Sequence, residues 1–172
     1  HVNFLNHLIG NFLLLTEDQA LKRSMEVFRI DEVVWELVPK FARTFTVPLK
    51  VDLQVDDPQY FNFRGNRMLI TLSISNLVEN ALKYADGKEV MVQLLALNGR
   101  LSLQIVDHGI GIPAAELEAV KQTFYRGSNV GNVKGSGIGL SFAQIVFKDQ
   151  GVAFDIYSDD RGTRVSLLFP KF

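Results

Sequence analysis

Two glycine clusters in the sequence have the composition of phosphate-handling loops. Gly109, Gly111 and Ala114 in DHGIGIPA (107–114) fit the G-x-G-x-x-[GA] spacing with which a dinucleotide-binding fold takes a pyrophosphate onto a helix N-terminus. Further on, GSGIGLS (135–141) repeats the theme. The dinucleotide reading requires a helix directly after the glycines and then a strand bearing an acid about 20 residues on, to hold a ribose. That distance lands in YRGSNVG (125–131), which has neither strand pattern nor Asp or Glu. No G-x-x-x-x-G-K-[ST] occurs either, so the Walker type of phosphate loop is excluded.

A second group of candidates sits on one stretch of predicted helix. Asn76, Asn80 and Lys83 recur at helical intervals and share a face with Leu77 and Tyr84. An Asn carbonyl oxygen is a neutral ligand for Mg²⁺, a cation that takes few protein ligands and fills its shell with phosphate and water. Glu79 precedes Asn80 and is turned about 100° round the helix from it. Asp107, at the end of an apolar run, is a carboxylate able to accept a hydrogen bond from an exocyclic amine. Taken singly, the Asn and Lys residues also describe an ordinary solvated helix face, and the glycines a turn that needs positive φ.

The scaffold that must carry these residues is legible in outline. The 172 residues suit one domain, and a composition 47% hydrophobic and 22% charged allows a core and a solvated surface. A net charge of -1 gives no electrostatic reason to expect nucleic acid, and the absence of cysteine excludes disulfides and thiolate metal sites. The patterning predicts a helix over 31–46, a strand over 49–55 with 60–65 as its partner across a DDP turn, and a long helix over 66–84. The buried face of that helix is expected to be Met68, Leu69, Leu72, Ile74, Leu77, Val78, Ala81 and Leu82. EVMVQLLAL and RLSLQIVD read as a hairpin across Asn98-Gly99, and VAFDIYSD and TRVSLLFP as another, with helices at 114–121 and 139–149 between. Hairpin-linked strands without a βαβ rhythm point to an α+β, two-layer sandwich: a mixed, mostly antiparallel sheet covered by helices. VNFLNHLIGNFLLLTE (2–17) carries a wide apolar stripe that would need a partner outside the domain. The polar stretch 18–29 reads as a linker ending in a short strand. With no initiating Met, the chain reads as part of a longer protein.

In order and type, NLVENALKYA (76–85), DHGIGIP (107–113) and GSGIGLSFA (135–143) resemble the N, G1 and G2 boxes of the histidine-kinase catalytic domain. This is the family of ATPases and kinases that includes gyrase, Hsp90 and MutL. FYRG (124–127) resembles its F box, and FRGNRMLITLSISNLVENALKY its usual run into the N box. The likeness spans about residues 28–170 and implies the Bergerat-type ATP-binding fold.

The resemblance implies one site for ATP and Mg²⁺. Asn80 would be the magnesium ligand, assisted by Asn76, with Lys83 on phosphate and Tyr84 bordering the base. Asp107 would read the adenine N6 amine, and Gly109, Gly111 and Ile112 would form the loop beside the ring. Residues 113–137 would be an ATP lid, with Gly135, Ser136, Gly137, Ile138, Gly139 and Leu140 lining the phosphates and Arg126 and Lys134 as cations near the γ-phosphate. Phe124 and Tyr125 are expected to anchor that lid on the body. His108 stands where the family pattern commonly has Asn. Hydrolytic relatives place a Glu four residues before the magnesium Asn; here that position is Asn76, which cannot act as a base, so transfer to a protein acceptor is favoured. Glu79 is then the carboxylate placed to take part in proton transfer. By the same resemblance, 1–17 is the stub of the second helix of a dimerisation domain, 18–27 a linker, and 28–172 the catalytic domain. His1 and His7 lack the setting of a phosphoacceptor, so the γ-phosphate is expected to pass to a histidine outside this chain. A response regulator receiver domain would be the onward partner. The parent is expected to be a homodimer, its catalytic domain cytoplasmic and the whole open to anchoring in the inner or plasma membrane. Two alternatives stand beside this: a nucleotide-binding regulatory module without phosphotransfer, and a serine-directed kinase of the same superfamily.

Overall fold

The computed structural model of the chain describes residues 24–131, 133 and 135–172. The expected helical stub at 2–17 and Lys134 lie outside these. Among the described residues the order is β1 (Glu26–Arg29), α1 (Ile30–Thr44), β2 (Leu49–Gln54), β3 (Asn62–Gly65), α2 (Arg67–Tyr84), β4 (Val90–Leu97), β5 (Arg100–Asp107), α3 (Gly139–Asp149), β6 (Ala153–Asp159) and β7 (Gly162–Leu168).

One sheet runs β2-β4-β5-β7-β6, parallel only at β2–β4 and antiparallel elsewhere. The period-2 alternation of β4 and β5 explains its two faces. Val92, Leu94, Leu103 and Ile105 are turned into the core, while Met91, Gln93 and Gln104 are half-exposed on the other side. The covered face meets α1, α2 and α3, whose Val33, Ile74, Leu77, Phe142 and Phe147 are buried with it. This is the two-layer α+β sandwich that the strand pattern predicts. Both hairpins form as expected, and Asn98 and Gly99 adopt φ of 51° and 70°, the double positive φ that matches a two-residue turn to the sheet twist.

Local signals set the limits of α2. Asn66 caps its start by accepting from Leu69 N–H at 3.1 Å, and the Gln150 side chain accepts from the Asn66 N–H at 2.9 Å, tying this end to the end of α3. At the other end Asp86 and Gly87 turn left-handed, φ 53° and 76°, and break the helix.

Three expectations need correction. Residues 62–65 pair antiparallel with β1, not with β2, which instead takes β4 as a parallel neighbour. The single helix expected over 114–121 is two 3₁₀ turns, Ala114–Glu116 and Ala119–Lys121. On α2, Met68 is 55% exposed while Ile70 is fully buried. This helix is covered on nearly all sides, so its buried set no longer follows a single apolar stripe. The short strand expected at the end of the linker stretch 18–29 is present as β1, from Glu26.

Candidate functional site

Two cavities among the described residues differ in volume by an order of magnitude. One, of about 10 Å³ between α1 and the sheet, is a packing void with room for a water at most. The other, of about 140 Å³, opens between α2, the 107–112 loop, the 120–137 lid and the start of α3. Its wall contains Asn76, Glu79, Asn80, Lys83 and Tyr84 from α2, and Asp107, Gly111 and Ile112 from the loop after β5. Arg126, Gly135, Ser136, Gly137, Gly139 and Leu140 come from the lid and α3. The two glycine clusters therefore belong to one cavity, and the helical spacing of Asn76, Asn80 and Lys83 carries all three to it.

At the polar end of α2, Lys83 Nζ lies 2.7 Å from Glu79 Oε1, an i,i+4 pair with Glu79 only 7% exposed. Asn76 is also buried, and among the described residues its Nδ2 has no hydrogen-bond partner. A buried amide N–H without a partner is costly, so it marks a place where an external acceptor is favoured.

At the other end sits Asp107, 6% exposed in a wall made apolar by Ile105, Ile110, Ile112, Ile156 and Val165. Its Oδ1 accepts from Gly109 N–H at 2.9 Å and Thr163 N–H at 3.3 Å. Among the described residues no donor meets Oδ2. Burial pushes the Asp107 carboxyl above its ordinary value; the two backbone bonds and the neighbouring His108 act in the opposite sense and do not cancel it.

Close backbone approaches fix this loop. A Cβ at Gly109 would come within 1.7 Å of the Tyr84 carbonyl oxygen, and one at Gly111 within 1.9 Å of the Asp159 carbonyl oxygen. Gly111 also has φ of 62°. These glycines thus serve the fit of the loop against α2 and β6. Gly109 does not line the cavity, and neither does Ile138, which is 3% exposed and whose carbonyl caps α3 by accepting from Phe142 N–H and Ser141 Oγ.

In the lid, Arg126 lines the cavity, its guanidinium donating to the Val133 carbonyl. Glu116 accepts from Ser128 N–H at 2.9 Å and from the Ser128 hydroxyl. These bonds, that from the Ser128 side chain first, hold the Glu116 carboxyl below its ordinary value. Asn129 Nδ2 bridges to the carbonyls of Gly111 at 3.0 Å and Ile110 at 3.3 Å, fastening the lid to the loop after β5. The expected anchoring by Phe124 is not found: its ring is 72% exposed at a φ of 68°, because the chain turns there to let its N–H reach the Gly137 carbonyl. Tyr125 is half-buried and lines the cavity, with its N–H reaching the Gln122 carbonyl at 3.3 Å inside the lid.

Sequence reasoning missed Thr163, Asn129 and Val130 in this wall. Thr163 stands directly opposite Asp107 in the β5–β7 register, a signal available only once the two strands are paired.

Residues 65–172 match the family described as histidine kinase-, DNA gyrase B- and HSP90-like ATPases, and the chain belongs to that family. It is similar to the sensor-like histidine kinase SenX3 of Mycolicibacterium smegmatis, with 24% identity over 96% of this chain and 44% of the relative. It is likewise similar to the sensor histidine kinase YkoH of Bacillus subtilis, with 29% identity over 88% of this chain and 35% of the relative. The chain thus spans less than half the length of these relatives. Its fold is that of the mycobacterial sensor histidine kinase MprB, whose structure superposes with a TM-score of 0.73 at 24% identity, covering 85% of this chain and 97% of that one. The family makes this a nucleotide-binding domain. No helix among the described residues is long and apolar enough to cross a membrane.

The cavity fits a nucleotide in chemical kind. An apolar slot ending in a carboxylate with one unengaged oxygen suits a base bearing an amine, and the unpartnered Asn76 N–H, Lys83, Arg126 and lid backbone suit phosphate. For Mg²⁺ the donor set is sparse. Among the described residues no cluster of three or more His, Cys, Asp or Glu could hold a metal. Two amides one turn apart, Asn76 and Asn80, fit a cation whose remaining ligands are phosphate and water.

Proposed function

We propose that this domain binds ATP with Mg²⁺ in the large cavity and donates the γ-phosphate to a histidine on a dimerisation domain. The observation that carries the reading is the convergence of a buried acceptor (Asp107), a polar α2 face and a glycine-rich lid on one cavity. Asp107 accepts from the adenine amine, and Ile105, Ile110, Ile112, Ile156 and Val165 hold the ring by burial. Asn80, with Asn76, supplies carbonyl oxygens to Mg²⁺. Lys83 leaves Glu79 for phosphate, and Arg126 contributes positive charge from the lid. Gly135 to Leu140 bring backbone N–H groups at the start of α3 toward the same end. The metal-nucleotide supplies the transferable phosphoryl group; the protein's part is positioning and charge compensation.

Glu79 is the buried carboxylate nearest the α2 polar face, and we assign it to handling the proton of the transfer reaction. Asn76 stands one turn earlier, where a water-activating carboxylate would be needed for hydrolysis, and an amide cannot take a proton from water. This favours a protein acceptor over hydrolysis. The names of the relatives, sensor histidine kinases, support a histidine acceptor; two-component signalling, with a homodimeric membrane-anchored parent and a response regulator as onward partner, is our extension of the family resemblance.

The test is transfer of label from γ-³²P-ATP to a separately supplied histidine-bearing dimerisation domain. The wild-type chain should label the acceptor histidine in a Mg²⁺-dependent way, and Asn80→Ala should cut the rate by about 100-fold or more, the scale of losing preorganised charge stabilisation. ATP binding without any acceptor labelling would favour a regulatory module, and acid-stable labelling would favour a serine acceptor.

A further inference from the structure

The hydroxyl of Ser158, on β6, is the junction of the segments that build the base end of the cavity, although Ser158 itself is 8% exposed and does not line it. Its Oγ accepts from Ile112 N–H at 2.8 Å, donates to the Gly162 carbonyl at 2.9 Å, and lies 2.9 Å from Thr163 Oγ1. A hydroxyl has one proton and two lone pairs. The Gly162 carbonyl can only accept, so it takes the Ser158 proton. The Ile112 amide fills one lone pair. The remaining contact is therefore a bond that Thr163 donates to Ser158.

The same accounting continues one atom further. Thr163 lines the cavity opposite Asp107, and with its single proton committed to Ser158 it offers the cavity lone pairs alone. Beside it, Asp107 Oδ1 is filled by the N–H groups of Gly109 and Thr163, leaving Oδ2 as a second acceptor. We propose that Ser158 is a specificity-determining positioning residue. By holding the Thr163 proton away from the cavity, it keeps the base end a surface of acceptors, which favours a purine with a 6-amino group and disfavours a 6-oxo purine. The inference rests on the nucleotide reading above and extends it to a residue that never touches the ligand. A polar site rejects a mismatched group because an acceptor is left facing an acceptor.

The probe is the ratio of dissociation constants for ATP and inosine triphosphate, measured by calorimetry. The two differ at the purine 6-position and in the proton at N1. Replacing Ser158 by Ala frees the Thr163 proton to turn toward a 6-oxo group, so the preference for ATP should fall about five- to tenfold, the worth of one neutral hydrogen bond. Loosening of the Ile112 loop alone would weaken both nucleotides alike and leave the ratio untouched. A Thr163→Val background separates the two effects: there Ser158→Ala should leave the ratio unchanged. If wild type prefers ATP and Ser158→Ala keeps that preference, or changes it equally in the Thr163→Val background, the role of Ser158 is overturned while the nucleotide site stands. If wild type binds the two nucleotides equally, this inference fails while the nucleotide site stands; if it binds neither, the proposed function fails and this inference with it.

Discussion

Asp107 bears a conflict between folding and binding. Its carboxyl is raised by burial, so it holds its proton more tightly in the folded chain than in the unfolded one. A raised pKa contributes stability that is fully present below the unfolded value of about 3.9 and is lost as pH rises through the folded value. At neutral pH the ionised group therefore works against the fold. Asp107→Asn should melt at the same temperature as wild type or higher at pH 7, with the difference shrinking toward pH 4; scanning calorimetry across that range checks it. A lower melting temperature at pH 7 would show that the two backbone bonds to Oδ1, not burial, dominate. How far such residues can be read ahead depends on how local their geometry is. Asn76, Asn80 and Lys83 need only the helical repeat to meet, so their spacing was sufficient. Thr163 meets Asp107 through strand register, 56 residues away in the chain, and no local pattern marks it.

Among the elements, the lid is held by few ties. Glu116 bridges to Ser128, and Asn129 clasps the Ile110 and Gly111 carbonyls. All of these partners but the buried Gly111 are exposed or half-exposed, so the lid should open at far lower free energy than the core. Glu116→Ala should speed amide exchange across 124–131 while leaving α2 and β5 protected. The depressed carboxyl of Glu116 gives the pH sense: its contribution is present above the unfolded value of about 4.3 and lost as pH falls through the lower folded value. Lid exchange in wild type should therefore accelerate only below that range, after correction for intrinsic rates. Helix and hairpin positions were legible because caps, Asn-Gly and alternation act within a few residues of sequence. The partner of β3 was not, since β1 lies more than 30 residues earlier and the DDP turn is equally compatible with a hairpin to β2. The exposure of Phe124 was hidden too, because an aromatic beside a glycine-rich loop looks apolar in sequence whichever way it points.

At the scale of the whole molecule, one helix serves both core and site. Ile74 on α2 is fully buried between the sheet and the neighbouring helices, and two residues later Asn76 enters the cavity. Ile74→Ala should cost about 2–5 kcal/mol of stability in urea denaturation, from lost burial and the cavity left behind. The near-complete covering of α2 that makes it a scaffold also buries Ile70, off the apolar stripe, but it begins only at Leu69 and leaves Met68 in the first turn exposed. The two-layer architecture was recoverable because hairpins and one long helix leave few alternatives. The central claim, that ATP and Mg²⁺ are held between Asp107 and the polar face of α2, is tested most directly by calorimetric titration of wild type and Asp107→Asn with ATP and GTP, with and without Mg²⁺. The account predicts Mg²⁺-dependent binding selective for ATP, reduced at least about 100-fold in a variant that remains folded, in keeping with the loss of a buried polar recognition contact. Equal affinity of the two proteins for ATP, or equal affinity of wild type for ATP and GTP, would contradict it.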